Sequence, residues 1–141
     1  MTTQTLAHRG SAASIVPSRT LVTALRADAA VSGAAALLQL LASGSVAAIT
    51  GLGAPLLLGS GAFLVAYVAL LLVLAAARSV WRPLLWLVIG GNTAWAMGCL
   101  VLAETMALPW LGIAYLVAQA AAVLALAAWQ ALGLRRSAAA Q

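Results

Sequence analysis

The chain predicts an all-α membrane protein: an antiparallel bundle of four transmembrane helices with both termini in the cytoplasm. Two observations predict it. The first is composition. The 141 residues are 65% hydrophobic and 6% charged, with a mean hydropathy of +1.11, whereas about a quarter of the residues of a soluble domain are charged. The second is the placement of the seven positive charges, all arginine. Arg9, Arg19 and Arg26 precede the first of four apolar stretches, Arg78 and Arg82 separate the second from the third, and Arg135 and Arg136 follow the fourth. The other two gaps carry no charge but Glu104. Positive charge in every second gap is the positive-inside pattern, which orients such a chain in the bacterial cytoplasmic (inner) membrane with its ends inside.

Residues 1–22 mix Ser, Thr, Ala and Arg around Pro17, with no apolar face and no compact apolar region of a cleaved signal peptide. They are expected to form a mobile cytoplasmic tail that becomes helical near Thr20. Residues 23–136 form the membrane domain, with spans at about 27–49, 55–77, 83–103 and 109–134, and 137–141 form a C-terminal tail. Four spans of about 20 residues leave little chain for anything outside the bilayer. The first span ends at the Gly-rich turn Thr50-Gly51-Leu52-Gly53. Pro55, Pro83 and Pro109 open the second, third and fourth spans, as proline does in a first helical turn. Gaps this short force adjacent helices to run antiparallel. Trp81, Trp86, Trp110 and Trp129 lie near span ends as an aromatic belt, and Trp95 alone lies mid-span.

Polar side chains at lipid depth are costly unless paired, so they are the residues to weigh. Asp28, Ser32 and Gln39 fall on one stripe of the first helix, with Ser43 continuing it, and Tyr115, Gln119 and Gln130 on one stripe of the fourth. Tyr67 lies near the middle of the second span, and Asn92 shares a face with Trp95 and Cys99 on the third. Turning these stripes inward gives a midplane polar seam of Asp28, Ser32, Gln39, Tyr67, Asn92, Trp95, Tyr115, Gln119 and Gln130. Its simplest role is interhelical hydrogen bonding; its sharper one is a ligand site. Asp28 reads as an N-cap or as a partner of Arg26, Arg82 or Arg135 at the interface rather than as a deep proton-coupled carboxylate. Small residues at Gly90, Ala94 and Gly98, and at Ala29 and Gly33, suit close helix packing within this chain or with a second one.

Catalytic chemistry has no visible players. Asp28 and Glu104 are unaccompanied, His8 is in the tail, Cys99 is the only cysteine, and Gly51-Leu52-Gly53 lacks the Lys, Ser or Thr of a phosphate loop. No cofactor, catalytic residue or metal site is expected, and the arginines serve the bilayer rather than nucleic acid. The expected function is a non-enzymatic structural or accessory subunit, packing through small-residue helix faces as a homo-oligomer or against a larger membrane partner, with those faces exposed and no internal cavity. The alternative is a transporter or binding protein for a small, mostly apolar molecule, with a pocket reaching Gln39, Asn92 and Gln119.

The stretches RADAAVSG (Arg26 to Gly33), GNTAW (Gly91 to Trp95) and VAQAAAVLALAAWQALGLRR (Val117 to Arg136) resemble those of small, uncharacterised bacterial four-helix integral membrane proteins. The resemblance implies a fold and a compartment and no catalytic residues. Size and span number are also similar to the small multidrug-resistance transporters. Those carry a membrane-embedded Glu in the first helix, where this chain has Gln39, with Asp28 only at the edge, a departure that counts against drug-proton exchange by their mechanism.

Overall fold

The computed structural model describes residues 14–139. Most of the expected N-terminal tail, with His8 and Arg9, lies outside the described residues. The described residues are all-helical apart from two short strands, and four of the helices among them are long and apolar enough to cross a membrane. In order, the elements are β1 (Ser14–Ile15), α1 (Arg19–Leu41), α2 (Ser43–Thr50), α3 (Ala54–Ala76), β2 (Val80–Trp81), α4 (Arg82–Thr105) and α5 (Trp110–Ala139).

The first helix starts at Arg19, beside Thr20, where the chain is expected to become helical, and eight residues before the expected span. Ser18 is its N-cap, accepting from the Leu21 N–H at 3.2 Å, so Asp28 is the tenth helical residue rather than a cap. The helix breaks at Ala42, where ψ moves to 23°, and α2 carries the chain onward from Ser43-Gly44-Ser45. Gly and Ser pairs are a recognised cause of such kinks. α2 ends on Gly51, whose φ of 74° closes the helix in the left-handed region. A Cβ there would also meet Pro109 Cδ at 2.8 Å, which ties the turn to the start of α5. Pro55 and Pro83 occupy the first turns of α3 and α4.

One end of the bundle gathers both ends of the described chain and the arginine loop. β1 pairs antiparallel with β2, Ser14 opposite Trp81 and Ile15 opposite Val80. The Ser18 N–H donates to Ser137 Oγ at 2.9 Å, Ser18 Oγ donates to the Gly133 carbonyl at 2.9 Å, and Arg136 donates to Thr20 Oγ1 at 3.1 Å. Arg19, Arg78, Arg82, Arg135 and Arg136 therefore share this end. Arg26 lies two turns inside α1 and is exposed.

Packing is uneven around the ring. α1 packs on α3 and on α5, and α4 packs on α5, but the backbones of α3 and α4 stay apart and only side chains reach between them. Close approach explains the first contacts. A Cβ on Gly61 would lie 2.9 Å from Leu40 Cγ, and one on Gly133 would lie 2.6 Å from Leu21 Cα. Two apolar cores result, one at the arginine end around Leu21, Leu25, Leu71, Leu85 and Leu134, the other around Val46, Leu57, Ala96, Leu116 and Ala120.

Candidate functional site

The polar residues form two clusters rather than one midplane seam. The first is built on Asp28, which is wholly buried. Its Oδ1 accepts from Ser32 Oγ at 2.9 Å, one helical turn on. Its Oδ2 accepts from Tyr67 Oη of α3 at 2.9 Å, Asn92 Nδ2 of α4 at 2.8 Å and Gln130 Nε2 of α5 at 2.7 Å. One carboxylate thus joins all four long helices. Tyr67 Oη also lies 3.0 Å from Asn92 Oδ1, and Asn92 Nδ2 reaches Gln130 Oε1 at 3.3 Å.

This overturns the reading of Asp28 as an interfacial cap or ion-pair partner. Being the tenth residue of α1, Asp28 lies roughly 14 Å along the helix from its start, at about 1.5 Å per residue. Tyr67 and Asn92, nine residues from the end of α3 and ten from the start of α4, are at matching depth. Arg26, two residues from Asp28 in sequence, points about 200° away around the helix. The groups that hold the carboxylate are a serine, a tyrosine and two amides, none of them charged.

The second cluster is eleven residues further along the same stripe, about 16 Å at the helical rise. Gln39, 1% exposed, donates from Nε2 to Tyr115 Oη at 3.0 Å and accepts from Ser60 Oγ at 2.6 Å. It joins α1, α3 and α5. Asn92 therefore pairs with Asp28 and not at the level of Gln39, which the expectation of one shared depth did not foresee. Ser60 was absent from the expected seam. Its sequence signal was its place between Gly59 and Gly61, where the backbone of α3 comes close enough to α1 for a short hydroxyl to reach across.

Both clusters border one cavity of about 960 Å³. It lies where α3 and α4 do not pack, and its walls are mostly apolar. Ser32, Tyr67 and Asn92 face it from the first cluster, Gln39, Ser60 and Tyr115 from the second, and Gln119 contributes a half-buried amide between the ends. Asp28 and Gln130 do not line it; they stand behind the residues that do. Phe63 of α3 and Trp95 of α4 stack across the gap, with centroids 5.9 Å apart and planes 8° from parallel, and Tyr67 stacks on Phe63 in turn.

The small residues of α4 shape the opening. Gly91, Ala94 and Gly98 line the cavity, and a Cβ at Gly90, Gly91 or Gly98 would meet nothing within 4 Å. Close helix packing, expected of the series Gly90, Ala94 and Gly98, is not what they do within this chain: they keep a wall thin. Ser43, at the helix break, takes no part in either cluster. Among the described residues no group of three His, Cys, Asp or Glu side chains could hold a metal ion. No family model, curated protein or solved structure matches this chain.

Proposed function

We propose that this chain is a non-enzymatic integral protein of the bacterial inner membrane that binds a small, mostly apolar molecule in the cavity between α3 and α4. The carrying observation is the cavity of about 960 Å³, reaching Gln39, Asn92 and Gln119 on its wall. Binding sites for small molecules are concave, mainly apolar and equipped with a few polar groups that set orientation, and this wall has that make-up. A structural or accessory subunit was expected to have no such space, so the cavity favours the binding reading over it. Entry is from the bilayer, through the side where the two helices do not pack. Gathering of the arginines at one end supports an orientation with both chain ends in the cytoplasm.

The test is labelling with the apolar photoreagent trifluoromethylphenyl diazirine in lipid nanodiscs, with sites mapped by mass spectrometry. Cavity residues such as Trp95 and Gln119 are expected to label in a way that an excess of unlabelled, non-photoactivatable analogue suppresses. Outward residues such as Leu37 and Val73, 61% and 66% exposed, should label without saturation. Gly98→Leu, which projects a side chain into the cavity, should reduce only the suppressible labelling. Non-saturable labelling alone, unchanged in Gly98→Leu, would refute the proposal.

A further inference from the structure

Three oxygen-to-oxygen contacts meet in the Asp28 cluster: Ser32 Oγ to Asp28 Oδ1 at 2.9 Å, Tyr67 Oη to Asp28 Oδ2 at 2.9 Å, and Tyr67 Oη to Asn92 Oδ1 at 3.0 Å. Each needs a hydrogen between its oxygens, and Ser32 and Tyr67 bring one hydroxyl hydrogen apiece. The cluster is one proton short. Turning the Asn92 amide over does not cure this, because its oxygen would then face Asp28 Oδ2 across the 2.8 Å contact that Nδ2 now makes. Forking the Tyr67 hydrogen between two acceptors leaves a full negative charge wholly buried with only neutral donors around it, the situation in which a buried group neutralises instead.

We propose that Asp28 is a proton-binding site: in the folded bundle Oδ2 carries a hydrogen and donates it to Tyr67 Oη, which donates its own to Asn92 Oδ1. The two amide N–H groups of Asn92 and Gln130 remain on the same carboxyl oxygen. Seen from each packed element, the facing groups are Ser32 on α1, Tyr67 on α3, Asn92 on α4 and Gln130 on α5. Tyr67 is the only other titratable member, and no arginine takes part in the cluster's hydrogen bonds.

The exit for the proton follows from the walls. Asp28 does not reach the cavity, but Tyr67 does. When a basic group enters the cavity, Tyr67 gives up its hydroxyl proton to it and takes the proton of Asp28 in the same exchange, so that the carboxylate left behind is offset by the cation just formed. The cavity gains one proton, Tyr67 ends neutral, and Asp28 is left as a carboxylate accepting from Tyr67. Reloading is the reverse. The change turns the Tyr67 hydroxyl away from Asn92 toward Asp28 and frees the Asn92 oxygen to accept from a ligand. The proton site stands on the cluster alone and does not depend on what occupies the cavity.

Infrared spectroscopy reads it directly, since the chain has only two acidic side chains, Asp28 and Glu104. Glu104→Gln leaves Asp28 as the sole side-chain carboxyl. At neutral pH this protein in nanodiscs is expected to show the C=O stretch of a protonated carboxyl, moving on exchange into heavy water. Asp28→Asn should remove it, and should that variant fail to fold, Tyr67→Phe should shift it to higher frequency, because the Asp28 hydroxyl loses its acceptor. Carboxylate stretches only, at neutral pH, would overturn the proton site. A protonated-carboxyl band unmoved by Tyr67→Phe would overturn the Tyr67 route.

Discussion

Single residues account for how a chain so short of charge holds four helices in register. Asp28 takes hydrogen bonds from three other helices, and interhelical bonds in membranes average about 0.6 kcal/mol each. Asp28→Ala is therefore expected to lower unfolding stability by about 2 kcal/mol, read by thermal denaturation in detergent. Asp28→Asn should keep most of it, because a neutral amide preserves the shape and an acceptor oxygen. An Asn variant as weak as the Ala variant would show that the charge itself is needed. Gly133 is the second decisive position. Its missing Cβ leaves room for the Leu21 backbone, and the Ser18 and Ser137 hydroxyls converge on its carbonyl. Gly133→Ala must push α5 from α1, and is expected to cost about 1–3 kcal/mol as an overpacking change. An unaltered melting temperature would show that the two helices separate freely there.

Between elements, packing and openness are set by where glycine faces a neighbour. Gly61 faces Leu40 and lets α3 close on α1; Gly91 and Gly98 face empty space and leave α4 apart from α3. The same substitution thus has opposite expected effects. Gly61→Leu should destabilise by about 1–3 kcal/mol, while Gly98→Leu should leave the melting temperature near that of the parent and reduce saturable photolabelling. Equal losses of stability in both would show that the cavity wall is load-sharing packing. The Phe63 and Trp95 stack, with Tyr67 beside it, bridges an interface that the backbones do not make. Trp95 is thereby explained as the one mid-span tryptophan: with Phe63 it bridges the gap between α3 and α4 at one level and leaves the rest open.

The described molecule puts five of its arginines and both ends of the described chain at one pole and its polar clusters along one internal stripe. If both ends are cytoplasmic, terminal alkaline phosphatase fusions should be inactive and a fusion in the turn at Gly53 active; the reverse pattern would invert the assignment. β1 adds a tie at that pole, with Ile15 only 3% exposed. Ile15→Ala should lower stability by about 2 kcal/mol, and no change would show that the N-terminal segment is dispensable. Much of this was legible beforehand. The apolar runs, the proline starts and the wheel positions of Asp28, Ser32 and Gln39 follow from local hydropathy and a fixed 100° step; α3 and α4 keep to the expected runs and starts, α5 begins one residue after Pro109, and α1 breaks at Ala42 inside the expected first run. Partner choice was not legible. Asp28 seemed interfacial because it stands two residues after Arg26 at the expected start of the span, but a helix turns residues two apart onto opposite sides and only packing decides which neighbours fill the inner face. The small residues of α4 likewise permit close contact without requiring it. Sequence alone therefore determined the class, the four helices and the polar stripe, since these depend on each segment's own exchange between water and lipid. The buried carboxyl, the split into two clusters and the open side were decided by tertiary structure, because they depend on distances between residues as far apart as Asp28 and Gln130, which no local pattern encodes.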